Sequence, residues 1–426
     1  MSTLTTKEFK LNNKLQVIHN YKKDSKIVDV RLILKAGNFY NSLYSYTPGT
    51  AHFLEHVVHE KTTKYTNKVD LTMLVEKFGG QRNAMTYGAE KMTFFATVIN
   101  DYAENAFDYI SQVVFNSEFD EIALEKHRKI IREELLASFK NSNTKAMRLF
   151  NNLAYKGTNF TYHTLGTEES LNDINLKELK DYYSNIFTPD NAILSISGDI
   201  SFEDCEILVK KYFDYIPTKE NTITNIDTSI FYKQNQIKTQ GHTFIQDKQA
   251  VVNFGGIGAG HNDRLSFSNL VLIRLLTWGS NSILNKKLRE ENSLVYNVAG
   301  ILISSEFFSN IYFNINTQPE NIQKCLDIIK QEVLKISNSE INLDDLDKTK
   351  KIIQTSEIFN DQNIQNAADS LATIKLLYKN IKDKEDNLNK ILNVTKEDIV
   401  ESAKSLYGNL NILAVCSNVE GIEYEF

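Results

Sequence analysis

Apolar and polar residues alternate over Leu15–Asn20 (LQVIHN), Ile27–Gly37 (IVDVRLILKAG) and Lys91–Asn100 (KMTFFATVIN), which predicts strands. A helical period takes over at Ala103–Asn116 (AENAFDYISQVVFN) and along a continuous stretch from about Phe119 to Leu153. Asn175–Ile200 (NLKELKDYYSNIFTPDNAILSISGDI) then reads as a helix, a turn at Thr188-Pro189-Asp190-Asn191, and a strand.

That last unit returns at the end of the chain. In Val394–Val419 (VTKEDIVESAKSLYGNLNILAVCSNV), Lys396-Glu397 follows Lys177-Glu178 by 219 residues, and Ile412-Leu413 follows Ile193-Leu194 by the same 219. Lys248–Gly260 (KQAVVNFGGIGAG) echoes Lys26–Gly37 (KIVDVRLILKAG) about 222 residues on. Two echoes at nearly one offset predict a duplicated α+β unit. Between the halves lies a polar, Asn/Thr/Lys-rich segment with few periodic apolar positions, the composition of a linker. The expected fold class is therefore α+β, with two homologous domains, each a mainly antiparallel sheet backed by helices. The expected boundaries are 1–218, a linker over 219–241, and 242–426.

Length agrees, since 426 residues exceed what one compact core usually holds. A net charge of −6 argues against nucleic acid as a partner and against a polybasic membrane patch. No apolar run approaches the roughly 18–20 residues of a membrane span, and the N-terminal stretch lacks the apolar core of a signal peptide. Three well-separated cysteines, Cys205, Cys325 and Cys416, form no CxxC pair and suit a reducing compartment, so a cytoplasmic location is expected.

The candidate chemistry lies in Pro48–Glu60 (PGTAHFLEHVVHE), which holds three of the eight histidines. On a helix, His52 and His56 share a face and their imidazoles can reach one ion. Glu55 stands beside that face, placed to take a proton from an activated water; the H-x-x-E-H order inverts the commoner H-E-x-x-H. The bland alternative is a helix whose imidazoles bond to neighbours. Two histidines do not close a metal site, and one helix can hardly wrap His59 or Glu60 around the same ion. A third ligand is expected from another helix, with Lys126–Phe139 (KHRKIIREELLASF) as the source. There Ile130, Ile131 and Leu135 define a buried side, and both Glu133 and Glu134 stand open as candidates.

Several segments together carry a resemblance: LNNKLQVIHN, KAGNFYN, GTAHFLEHVVHEKT, FGGQRNAMT, IIREEL, HTLGTEESLNDI, FTPDNAILSISGD, QAVVNFGGIG and LNKKLREENSLVY. In this order and spacing they resemble the pitrilysin/insulinase-type (M16) zinc peptidases, in the half-size form similar to mitochondrial processing peptidase. The resemblance implies one Zn²⁺ per chain on His52 and His56, with Glu55 activating the attacking water. Its pattern of two aliphatics, two residues and a ligand glutamate selects Glu134, with Glu133 the competitor. Where the family usually has a further glutamate two turns earlier, this chain has His127. GGQRNAMT matches an edge strand on which a peptide lies as an added strand, held by Asn83 and the backbone of Ala84. LREENSLVY matches a segment whose Arg289 and Tyr296 would grip the substrate and stabilise the oxyanion, with Ser293 standing where a glycine is frequent. The matching region of the second half, LIRLLTWGSNSI, has no H-x-x-E-H. The implied function is a zinc-dependent endopeptidase acting on unfolded or extended peptides in a chamber formed by paired subunits. Both residue sets in one chain favour a homodimer; a heterodimer with a related subunit is the other arrangement, and a non-catalytic partner subunit the rival function.

Overall fold

The computed structural model describes residues 5–87, 90–161, 163–218, 237–379 and 382–426. Of the expected linker, 219–236 lies outside the described residues. The first sheet is built from β1 (Thr5–Lys10), β2 (Gln16–Tyr21), β3 (Ile27–Lys35), β4 (Gln81–Tyr87), β5 (Lys91–Ile99) and β6 (Ala192–Gly198), in the order β1-β2-β6-β3-β5-β4. The second uses β7 (Thr239–Phe244), β8 (Ala250–Ala259), β9 (Val295–Ser304), β10 (Phe308–Thr317) and β11 (Ile412–Ser417), in the order β9-β10-β8-β11-β7.

The duplication is visible in this topology. Read from the other side, the second sheet runs β7-β11-β8-β10-β9, which maps strand for strand onto β2-β6-β3-β5-β4. In each sheet the first of these pairs is parallel and the rest antiparallel. The fold is α+β, two related sheets each backed by helices.

Helices used below are α1 (Thr50–Val57), α2 (Ala103–Phe115), α3 (Glu121–Ser138), α4 (Ser142–Ala154), α5 (Leu176–Ile186), α6 (Ile322–Ser337), α7 (Ile364–Leu377) and α8 (Lys396–Gly408). Strand β3 is buried along nearly its whole length, as a central strand covered on both faces must be. Val28, Val30, Leu32 and Leu34 join the main core of the first sheet, together with Phe107 and Ile110 of α2. Its other face presents Asp29, Arg31 and Ile33. Ile33 packs with Ile18, Ile193 and Ala372 of α7. Arg31 pairs with Asp29 at 3.1 Å and with Asp369 of α7 at 3.2 Å, while Lys91 reaches Asp369 at 2.7 Å. A buried charge survives because its partners are buried beside it.

The long helical stretch expected over 119–153 is two helices. Helix α3 ends at Ser138, and the Asn141 side chain accepts the Thr144 N–H at 3.0 Å to start α4. The two helices then bury their apolar faces in different places. Ile131 and Leu135 of α3 enter the core of the first sheet, whereas Ala146 of α4 packs with Ile245, Val251 and Cys416 of the second.

The compact units therefore do not follow one cut in the linker. One unit comprises Met1–Leu135, His163–Asn225 and Glu357–Lys384; the other comprises Leu136–Tyr162, Ile226–Ser356 and Glu385–Phe426. Each sheet is covered by a helix from the opposite half of the chain, α7 on the first and α4 on the second. Against the expected 1–218, linker 219–241 and 242–426, strand β7 begins at Thr239, inside the expected linker, and the covering segments are exchanged between the units. Among the described residues, no helix is long and apolar enough to cross a membrane. Cys205, Cys325 and Cys416 are free and buried; burial pushes their thiols up to about 12, about 11 and about 11.

Candidate active site

Helix α1 opens at Thr50 after Gly49, whose φ of 98° suits a residue without a Cβ. Three elements hold its start. The Asn41 side chain accepts the Ala51 N–H at 3.0 Å, and Glu178 of α5 accepts the Thr47 N–H at 2.6 Å. Ser170 donates to the Pro48 carbonyl at 2.7 Å. Ala51, Phe53, Leu54 and Val57 are buried, which turns His52, Glu55 and His56 to the remaining, half-buried side.

Glu134 of α3 meets them there. Its Oε2 lies 3.8 Å from His52 Nε2 and 3.6 Å from His56 Nε2. One ligand atom from each of the three residues falls within 4.8 Å of the others. Glu133, one position earlier, is exposed and not part of this cluster. Ile130, expected on the buried side of α3, is 40% exposed; Ile131 and Leu135 alone carry that face among the three.

The electrostatics favour lone pairs over protons. Burial pulls the His52 imidazole down to about 3 and that of His56 to about 4, so both are neutral near pH 7. Burial also raises the Glu134 carboxyl above its usual value. The separations of 3.6 and 3.8 Å are too long for hydrogen bonds. Two neutral imidazoles and a carboxylate thus converge with no hydrogen bond between these Nε2 and Oε2 atoms, an arrangement a cation would satisfy. Two imidazoles and a carboxylate are a catalytic zinc donor set, and bonds of about 2.0–2.2 Å in tetrahedral geometry put ligand atoms roughly 3.4 Å apart. The residues fit such an ion. Among the described residues, buried His52 Nδ1 has no hydrogen-bond partner.

The other polar groups of the motif are engaged elsewhere. His59 is buried, with Nδ1 at 3.1 Å from the Tyr109 hydroxyl and its ring stacked on Tyr109. Glu60 receives Lys126 at 2.8 Å and lies 2.8 Å from His127 Nε2. The His127 ring in turn stands 5.6 Å from that of His56. The departure at His127 thus stays inside the structure as a buried histidine–carboxylate pair beside α1.

Glu55 is fixed from the sheet. Its Oε2 accepts the Thr86 backbone N–H at 2.7 Å and the Thr86 hydroxyl at 2.6 Å. Burial raises its pKa, and the two Thr86 bonds oppose that rise. Thr86 belongs to β4, which pairs only with β5 among the described residues and forms the sheet edge. In an antiparallel pair, each residue's N–H and C=O both face the partner strand or both face away, alternating along the strand. The register runs without a shift from Gln81↔Thr97 to Tyr87↔Lys91. Since the Thr86 N–H points to Glu55, the backbone groups of Ala84 and Arg82 also point to the open side. Asn83 lies between them with an exposed side chain, and Ala84 is buried. The sequence reading named Asn83 and Ala84 but missed Thr86; its signal was the same strand parity two residues further on.

Arg289 and Tyr296 lie in the second unit. Arg289 sits on a wide helical turn over Asn285–Glu291, and Tyr296, at the start of β9, is 75% exposed. The guanidinium lies 5.4 Å from the Tyr296 ring centre, so the two form a cation–aromatic pair. Ser293, between them, adopts φ 52°, the region where glycine is at ease.

Residues 16–168 match the family described as insulinase (peptidase family M16), and residues 173–353 match the peptidase M16 inactive domain. The chain belongs to the M16 peptidase family. The first match holds His52, Glu55, His56, Asn83, Ala84 and Glu134; the second holds Arg289 and Tyr296. An uncharacterized zinc protease, YmxG of Bacillus subtilis, is 24% identical over 369 residues, 87% of this chain and 88% of its own. The mitochondrial-processing peptidase subunit beta of Neurospora crassa is 29% identical over 214 residues, 50% of this chain and 44% of its own. The crystal structure of a protease from Helicobacter pylori superposes with a TM-score of 0.85 at 19% identity, covering 97% of this chain and 99% of that one. This M16 chain thus shares both its sheets with a solved peptidase fold.

Proposed function

We propose that this chain is a zinc-dependent endopeptidase acting on unfolded or extended peptides. The observation that carries the reading is the meeting of His52, His56 and Glu134 beside a carboxylate, Glu55, that is tied to an open sheet edge. His52, His56 and Glu134 would hold the metal, which when bound supplies Lewis-acid activation of water and of the scissile carbonyl. Glu55 keeps Oε2 pinned by Thr86, leaving Oε1 to take a proton from the attacking water and pass it to the leaving amine. The outward backbone groups of Ala84 and Arg82, with the Asn83 side chain, hold the peptide as an added strand. Arg289 and Tyr296 offer a charged donor and a hydroxyl suited to peptide carbonyls, and are proposed as substrate residues.

A homodimer enclosing the peptide follows from the presence of both residue sets in one chain. A second reading, a non-catalytic partner of a related subunit, draws support from His127 and from relatives that are named as subunits. A cytoplasmic site of action belongs to the same proposal. The test is cleavage of a quenched fluorescent peptide of about 15 residues by the purified chain, before and after chelation and after return of one equivalent of zinc. Activity lost and restored with zinc supports the peptidase. Zinc bound at one equivalent with no cleavage supports the partner subunit.

A further inference from the structure

We infer that Thr86 is the stop at which a peptide strand added to β4 leaves the sheet, and that it thereby sets which peptide bond faces Glu55; the inference rests on the peptidase reading above. A strand added at a sheet edge bonds to every outward N–H and C=O it can reach. On β4 these belong to Arg82, Ala84 and Thr86, by the parity of the β4–β5 register. The third is not available as a donor. Glu55 Oε2 takes both the Thr86 N–H and its hydroxyl, at 2.7 and 2.6 Å. Hydrogen bonds to a carboxylate are about twice as strong as those between neutral groups. A peptide carbonyl competing for the Thr86 N–H would have to displace an anion held by two donors.

The ladder open to a peptide is therefore short. Arg82 and Ala84 stand two residues apart, roughly 7 Å along the strand, and engage peptide residues two apart. Beyond Ala84, in the direction of Glu55, the peptide loses its donor at the point where the carboxylate begins. One residue thus does two things: its hydroxyl and N–H orient the carboxylate, and because that N–H is taken the ladder ends there. Thr86 is a positioning residue, acting through Glu55. Its neighbours keep the edge in place, since Ala84 is buried and Arg82 pairs with Glu76 at 2.7 Å.

The test is residue-resolved amide hydrogen exchange on the zinc-free full chain, with and without an extended decapeptide. The Thr86 amide should be at least tenfold slower than that of Ala84 before any peptide is added. Saturating peptide should slow Ala84 and Arg82 by tenfold or more and leave Thr86 unchanged. In Glu55→Ala the Thr86 amide should exchange fast alone and slow down with peptide. Peptide-induced protection of Thr86 in the wild type, or none at Ala84 and Arg82, would overturn the inference. With zinc restored, Thr86→Val should spread cleavage over neighbouring bonds and lower kcat about tenfold with KM within twofold, and Thr86→Ser should return both to wild type. Cleavage by Thr86→Val at the same single bond with unchanged kcat would also overturn it. A wild type that shows the exchange pattern yet never cleaves removes the peptidase reading and leaves the stop standing.

Discussion

Helix α1 and the helix Ser266–Thr277 occupy the same place in the two sheets, each following the long central strand and preceding the edge hairpin. Their faces differ in kind. The first turns His52, Glu55 and His56 to a half-buried side, and the second buries Val271, Leu272, Leu275 and Leu276. One scaffold has thus been used twice, once to hold a polar cluster and once to pack. Burying imidazoles and carboxylates without a cation is unfavourable, so the polar face of the first helix carries a cost that the apolar face of the second does not. The edge strands divide the same way: β4 carries Thr86 against a carboxylate, and β9 carries an exposed Tyr296 as its second residue.

The largest expected effect breaks the cluster. His56→Ala should weaken zinc binding at least a hundredfold, measured by competition with a chromophoric chelator, and reduce peptide cleavage to background. The fold should persist, read by circular dichroism. In the second helix, Leu272→Ala deletes a side chain that is 1% exposed. It should cost about 2–5 kcal/mol in urea unfolding and leave zinc affinity within twofold. Equal loss of stability from both substitutions in the zinc-free protein would remove the contrast.

A finer test lies on α3. Glu134→Gln should lower zinc affinity by one to two orders of magnitude, whereas Glu133→Gln should change it less than twofold. The reverse order would transfer the ligand role to Glu133. Smaller still is the effect on the exchanged helices. Asp369→Asn removes a carboxylate partner of Arg31 and Lys91, leaving Arg31 its pair with Asp29, and should cost about 1–3 kcal/mol of stability. Asn314→Ala, which removes an amide contact to Asn253 in the second sheet, should cost about 1 kcal/mol or less.

The polar cluster also predicts a pH dependence of the zinc-free protein. His52 and His56 have folded-state values of about 3 and about 4, against an unfolded value near 6.5. The unfolded chain therefore binds more protons between these values, and stability falls as pH drops from about 6.5 toward about 4. His59, held at about 3, adds to the slope. Replacing His52 and His56 together by Gln should flatten it in part, seen as a smaller change in the urea midpoint between pH 7 and pH 5.

Much of this was legible because it is local. Alternation marked β2, β3 and β5, the 219-residue offset marked the matching helix–turn–strand units of α5–β6 and α8–β11, and five residues marked α1. Glu134 was open to the residues alone, because Ile130 and Ile131 look equivalent in sequence; the register of α3 against the sheet buries one and exposes the other. The break at Asn141 and the exchange of α4 and α7 were hidden for a related reason. A helical period shows that a face will be buried without showing which sheet will bury it. Asp29 and Arg31 are polar positions of an alternating strand, yet they are buried under α7, from a segment more than 300 residues away. Thr86 was missed because its partner, Glu55, is 31 residues distant on another element.

The proposed peptidase has His52, His56 and Glu134 holding zinc while Glu55 does the proton transfer. Zinc content and peptide turnover of Glu55→Gln beside wild type test it most directly. Both proteins should hold close to one zinc per chain, with turnover at least a thousandfold lower in Glu55→Gln. Loss of zinc from Glu55→Gln, or turnover within tenfold of wild type, would contradict it.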